Sequence, residues 1–136
     1  MFEQRVQRTF EAVNRKDLAA VMAGWTNDGV LEFPGHSTLG GRYEGRQAIE
    51  GFFRRWFDRM ETIRLTVRRV GFDSPALTYG STMYVEFGTD QQTTDGVTFH
   101  TEVVGVYRLR RGKLTYYREY IFDPDIAERI WGNAGD

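Results

Sequence analysis

Residues 77–122 read LTYGSTMYVEFGTDQQTTDGVTFHTEVVGVYRLRRGKLTYYREYIF. Apolar and polar side chains alternate along this stretch, and the alternation breaks at Asp95-Gly96 and again at Arg110-Arg111-Gly112. A period of two bounded by turn residues marks half-buried strands joined as hairpins, here over 77–89, 97–109 and 114–122. Residues 62–72 carry the same period and add a strand in front. The second half of the chain is therefore an antiparallel meander.

The turns set the side-chain faces. A two-residue turn at Asp95-Gly96 pairs Thr94 with Val97, which sets Glu86 opposite Gly105 and Tyr84 opposite Tyr107. A three-residue loop over Arg110–Gly112 pairs Leu109 with Lys113, Gly105 with Tyr117 and Val103 with Glu119. Together these place Tyr84, Glu86, Thr101, Val103, Gly105, Tyr107, Tyr117, Glu119 and Ile121 on one face. His100, Glu102, Val104, Arg108, Tyr116, Arg118 and Tyr120 fall on the other, with Met83, Val85, Phe87, Val106 and Phe122 adding apolar surface there.

Upstream the period changes to that of helices. Phe2, Val6, Phe10 and Val13 share one helical face, and Leu18, Val21, Met22 and Trp25 form a second helix that starts after Asp17 and stops by Asn27 to Gly29. Val30–Phe33 reads as a strand and the glycine-rich stretch 37–45 as a loop. Arg46–Met60 forms the longest helix, with Ile49, Phe52, Phe53, Trp56, Phe57 and Met60 on its apolar side. Pro124 begins a short helix or tail containing Ile126, Ile130 and Trp131. Helices first and antiparallel strands afterwards define an α+β fold in a single domain over 1–136.

The 136 residues suffice for one core, since a chain this long buries roughly two-thirds of the surface its unfolded form exposes. It contains no cysteine, which excludes disulfides, thiolate metal sites and cysteine nucleophiles. Eighteen basic and nineteen acidic residues leave a net charge of −1, without the basic stripe of a nucleic-acid binder. His36 and His100 stand far apart without carboxylates at ligand spacing, so no metal or other cofactor is expected. No phosphate-cradling loop or nucleophile elbow occurs. The N-terminus lacks the pattern of a signal peptide and no apolar run spans a bilayer, so a soluble cytoplasmic protein without membrane partners is expected.

The order of these elements resembles the SnoaL-like branch of the nuclear transport factor 2-like superfamily. The residues that carry the resemblance are Asn14–Leu18 with Trp25, Phe33-Pro34-Gly35, Gly45 with Ala48-Ile49 and Phe52-Phe53, and the stretch from Gly105 through Gly112-Lys113-Leu114 to Tyr120. The resemblance implies a cone: a curved antiparallel sheet, mixed at its first strand, with three N-terminal helices enclosing a pocket. It implies ligand-binding or dimerisation modules as well as isomerases, epoxide hydrolases and polyketide cyclases, and commonly a homodimer through the convex sheet face.

Glu119 matches an inward-facing carboxylate of the epoxide hydrolases, which makes its face the concave one. The candidate catalytic residues are Glu119, Glu86 and Tyr117. Gly105 leaves a hollow between them that a ligand or water can enter. Tyr84, Phe33, Trp56, Thr101, Val103, Gly105, Tyr107 and Ile121 are candidate ligand contacts, with His36 at the mouth. His100 points outward to a hydrogen bond with Glu102. The isomerase base position is occupied by Phe33 and its second acid by Val103 or Val104. The tyrosine and asparagine of the epoxide hydrolases are replaced by Leu31 and Phe33, and their arginine has no counterpart, Tyr84 standing nearest. Cyclase-like chemistry asks for less: an apolar pocket and one proton-transferring group. The reading is a pocket protein for an apolar oxygenated small molecule of polyketide, terpenoid or steroid type, acting by proton transfer at Glu119 if catalytic. The alternative is a non-catalytic ligand-binding or dimerisation module.

Overall fold

The computed structural model describes residues 2–73 and 81–135. In chain order the elements are α1 (Phe2–Asn14), α2 (Leu18–Ala23), β1 (Trp25–Phe33), β2 (Gly41–Glu44), α3 (Arg46–Arg59), β3 (Met60–Phe72), β4 (Thr82–Thr93), β5 (Thr98–Arg110), β6 (Lys113–Ile121) and α4 (Asp125–Trp131). The six strands form one sheet in the order β2-β1-β6-β5-β4-β3. Every neighbouring pair is antiparallel except β1 with β6, which is parallel. The expected α+β architecture, mixed at its first strand, is therefore present. None of the helices among the described residues is long and apolar enough to cross a membrane.

The apolar faces of the helices account for the core. Val6, Phe10 and Val13 of α1 and Ile49, Phe52, Phe53 and Phe57 of α3 are buried against the inward residues of the strands, including Leu31, Leu65, Val85, Phe87 and Val103. The segment Asn14–Leu18 is a structural joint. The Asn14 side chain accepts from the Leu65 amide at 2.7 Å and donates to its carbonyl, so it stands in for a strand neighbour at the edge of β3. Lys16 donates to the carbonyls of Met60 and Phe57 at the end of α3, where a cation also suits the helix dipole. Asp17 caps α2 by accepting from the Ala20 amide.

Three local expectations are corrected. The second helix ends at Ala23, capped by Gly24, and Trp25 opens a strand instead of extending the helix. Part of the glycine-rich stretch is strand β2, which pairs with Val30–Phe33. It was hidden because only Tyr43 of its four residues turns inward, packing on Phe52 at 5.1 Å and donating to the Leu39 carbonyl at 2.6 Å. The strand expected from residue 77 begins at Thr82, and its first four positions lie outside the described residues.

The two hairpins depart from expectation with opposite consequences. Between β4 and β5 the connection holds three residues, Thr94, Asp95 and Gly96, because the Thr93 amide donates to the Val97 carbonyl. The Thr93 hydroxyl closes it by accepting from the Val97 amide at 2.9 Å and donating to Asp95 at 2.6 Å, while Gly96 takes φ +92°. One extra residue moves every side chain of β4 to the other face. Met83, Val85 and Phe87, expected outside, are buried in the core, and Tyr84 and Glu86, expected inside, face away from the helices. Between β5 and β6 the turn is the two-residue Arg111-Gly112, both at positive φ, and Thr115 is bulged between the pairs Leu109–Leu114 and Arg108–Tyr116. The shorter turn and the bulge together shift the register by two. The faces of β5 and β6 are as expected, but Gly105 lies opposite Glu119, and Val103 opposite Ile121.

Candidate functional site

Helices α1, α3 and α4 and the inner face of the sheet enclose a cavity of about 110 Å³. Its wall is mainly aromatic and aliphatic. Phe33 comes from β1, Phe52, Phe53 and Trp56 from α3, Phe87 from β4, and Ile130 and Trp131 from α4. The α3 rings touch in sequence, with Phe52 and Phe53 edge-to-face at 5.3 Å between centroids and Phe53 and Trp56, three residues apart on the helix, at 6.1 Å.

Of the residues expected at the site, Glu119, Tyr117, Tyr107, Thr101, Val103, Ile121, Phe33 and Trp56 line this cavity. Glu86 and Tyr84 do not. Glu86 sits on the open face 3.9 Å from Arg69, and Tyr84 is 43% exposed there. His36 lies in a separate surface cleft beside Glu128 and Asn133. Gly105 contributes by its lack of a side chain, though differently from the expected hollow. A Cβ there would come within 2.7 Å of the Tyr117 ring and 2.8 Å of the Tyr107 ring, so the tyrosines occupy the space and no ligand can. Their centroids are 4.6 Å apart.

Glu119 is the acidic residue of this cavity. Its carboxyl faces apolar surroundings, and burial pushes its pKa up to about 7, hydrogen bonding with Tyr117 opposing the rise. The side chain keeps some accessible surface because the cavity itself is open to it, while protein surrounds that cavity. No cation among the described residues pairs with it. Burial, and then the neighbouring Glu119 charge, raise the pKa of Tyr107 and Tyr117, so both phenols stay neutral hydrogen-bonding groups. A carboxyl that titrates near neutrality beside two neutral phenols can both accept and return a proton at physiological pH.

Two groups at the site were not foreseen. Thr89 and Gln91 face the cavity because of the longer β4–β5 loop, and the signal for that loop was Thr93 with Asp95, a hydroxyl and a carboxylate able to close it. Helix α4 forms one wall and is tied down at its end: the Thr38 hydroxyl donates to the Trp131 carbonyl at 2.7 Å, and the Arg55 guanidinium lies 6.0 Å from the Trp131 ring.

On the open face, His100 bridges Asp90 at 2.8 Å and Glu102, and Glu102 also receives Arg68 at 2.6 Å and 2.9 Å. The bonds to Asp90, then Glu102, raise the His100 pKa, and Arg68 holds the Glu102 carboxyl down at about 2. The outward direction of His100 and its bond to Glu102 are as the alternation indicates. Asp90 is an added partner, brought opposite His100 by the observed register.

Residues 6–117 match the model of the SnoaL-like domain. None of the curated proteins matches the sequence. Among solved structures, a nuclear transport factor 2-like protein of unknown function from Burkholderia pseudomallei superposes with a TM-score of 0.77 at 22% identity over 95% of both chains. Bal32a, from a soil-derived mobile gene cassette, gives 0.81 at 18% identity over 95% of both. TerC, co-crystallised with polyporic acid, gives 0.74 at 19% identity over 93% of this chain and 95% of its own. At these identities the likeness is one of fold.

Proposed function

The chain belongs to the SnoaL-like domain family, and within it we propose that this member transfers a proton on a small, largely apolar, oxygenated molecule held in the cavity, with Glu119 as the acid/base group. The observation that carries the reading is the Glu119 carboxyl, set in an aromatic cavity without a cation and titrating at about 7. A carboxylate kept for structure alone is normally paired with a cation, and one held without a cation against apolar walls costs stability, which supports a functional role for it. Tyr117, two residues earlier on the same face of β6, orients the carboxyl, and Tyr107 supports Tyr117 from β5. The apolar wall around them lowers the local polarity, which strengthens hydrogen bonds to the reacting group. Among structural neighbours, TerC was crystallised with polyporic acid, which agrees with a cavity that takes an organic molecule.

The test uses cyclohexanone, a ring small enough for the cavity whose α-protons exchange through an enol. Proton NMR in deuterated buffer should show exchange accelerated by the protein, with a rate that rises with pH through about 7 as Glu119 ionises. Glu119→Gln should lower the accelerated rate at least about 100-fold while binding persists. Equal rates for the two proteins would remove Glu119 from the chemistry, and binding without any exchange would favour the ligand-binding module instead.

We also infer that the open face of the sheet joins two copies of the chain. Tyr84, Val104 and Tyr120 are 43%, 38% and 54% exposed there, and apolar side chains grouped on one sheet face usually mark an interface.

A further inference from the structure

The cavity has a second polar region, away from Glu119. Thr89 and Thr101 lie directly opposite each other on β4 and β5 and are 4% and 7% exposed. Gln91, two residues on from Thr89, shares its face, and all three line the cavity together with Trp56. The Thr101 hydroxyl oxygen is buried and has no hydrogen-bond partner among the described residues. A buried hydroxyl left without a partner costs about 1–3 kcal/mol, so one retained in a cavity wall calls for an explanation.

The hydrogen bonds around it have a fixed direction. The Trp56 indole N–H can donate and cannot accept, and it meets the Gln91 side-chain oxygen at 2.8 Å. That orients the Gln91 amide, whose nitrogen donates to the Thr89 hydroxyl at 3.2 Å. Thr89 has then accepted a bond and keeps its own proton to give. Gln91 retains a second N–H, and Thr101 across from Thr89 has an uncommitted O–H. The region therefore offers three donors that this chain of bonds does not use, the Thr89 and Thr101 hydroxyls and one Gln91 N–H.

Its place along the sheet separates it from the carboxyl. Glu119 lies opposite Gly105, and Thr101 lies four positions further along β5, about 13 Å of strand. Val103, Ile121 and Phe87 fill the interval with apolar surface. We propose that Thr89, Gln91 and Thr101 form a hydrogen-bond-donating pole that selects ligands bearing a carbonyl-type acceptor oxygen on an apolar, ring-sized body. The inference rests on the cavity being a small-molecule site, as proposed above, and concerns an acceptor oxygen at the end of the ligand remote from the carbon that meets Glu119; a one-oxygen probe as small as cyclohexanone samples either end. The Thr101 hydroxyl, which has no partner among the described residues, can donate to that oxygen, whereas a hydrocarbon of the same shape leaves it unpaired. The pole thus discriminates by chemistry where the aromatic wall discriminates by shape.

The test compares cyclohexanone with methylenecyclohexane, which matches it in shape and replaces the oxygen by a CH₂ group. Binding is followed by NMR titration, with the Trp56 indole N–H as a reporter inside the network. Thr101→Val should weaken cyclohexanone about fivefold and leave methylenecyclohexane unchanged or slightly tighter, because one hydrogen bond is lost and apolar contact is kept. Thr101→Ser, which keeps the hydroxyl, should retain the wild-type ketone affinity and stands as a second measurement whatever the fold of Thr101→Val. The melting temperature of Thr101→Val should equal or exceed that of the wild type, since the substitution removes an unpaired buried group. Parallel changes for the two ligands, no change for either, or a Thr101→Ser variant that loses the ketone would overturn the pole and leave the cavity reading intact. Failure of both ligands to bind the wild type would overturn both.

Discussion

At the scale of single residues, Glu119 couples folding to pH. Its pKa rises from an ordinary 4.5 in the open chain to about 7 in the fold, so between those values the folded protein binds more protons than the unfolded one. Its stabilising contribution is therefore fully present below about pH 4.5 and is lost as pH rises through about 7, at a cost of about 3 kcal/mol by pH 8. Urea unfolding should show Glu119→Gln more stable than the wild type by about 2–3 kcal/mol at pH 8 and nearly equal at pH 4.5; equal stability at both would place the carboxyl in water. The direction of this side chain was legible in the sequence because β5 and β6 alternate cleanly, the resemblance marked its face as the inner one, and the two departures in their hairpin add to an even shift. Its partner positions were not, since a shift of two leaves the face unchanged but moves Glu119 from Val103 to Gly105.

At the scale of elements, the loop between β4 and β5 decides which half of β4 faces the cavity. Asp95-Gly96 is a strong two-residue turn signal in isolation, and local turn preference failed here because the Thr93 side chain and the Arg59–Asp95 pair at 2.9 Å hold a longer loop. Burial settles the matter in the same direction: the observed register sends Met83, Val85 and Phe87 into the core, whereas the shorter turn would bury Tyr84 and Glu86 in their place. The strands of the meander were thus legible in the sequence, and the wall that β4 gives the cavity was not. Thr93→Val, which removes both side-chain hydrogen bonds, should cost about 1–2 kcal/mol in chemical denaturation and increase amide exchange at Val97. An unchanged exchange rate at Val97 would mean that the backbone holds the loop without the hydroxyl. The segment Asn14–Leu18 teaches the converse, since residues that carry the resemblance by sequence serve here to join α1, α2, α3 and β3.

At the scale of the whole molecule, the sheet works on two sides. One side, with the helices, makes the cavity; the other carries Tyr84, Val104 and Tyr120 beside the charged network of Arg68, Glu102, His100 and Asp90. Light scattering at micromolar concentration should give twice the chain mass, and Tyr120→Asp should give the mass of one chain, with the far-ultraviolet circular dichroism unchanged. A wild-type monomer would leave that face to another role. The pairing that completes the cavity is the parallel one between β1 and β6, in which Tyr116 reaches Glu32 across 84 positions of chain. On a ribosome, β1 emerges before β2 to β5 and has no β6 partner until those strands and α3 have followed. Until then the aromatic face of α3 lacks its full covering, and exposed apolar surface of that kind favours aggregation of partly folded chains. Synthesis from one end therefore delays closure of the cavity until β6 is made, and a chain interrupted before Lys113 would hold most of the wall but neither Tyr117 nor Glu119.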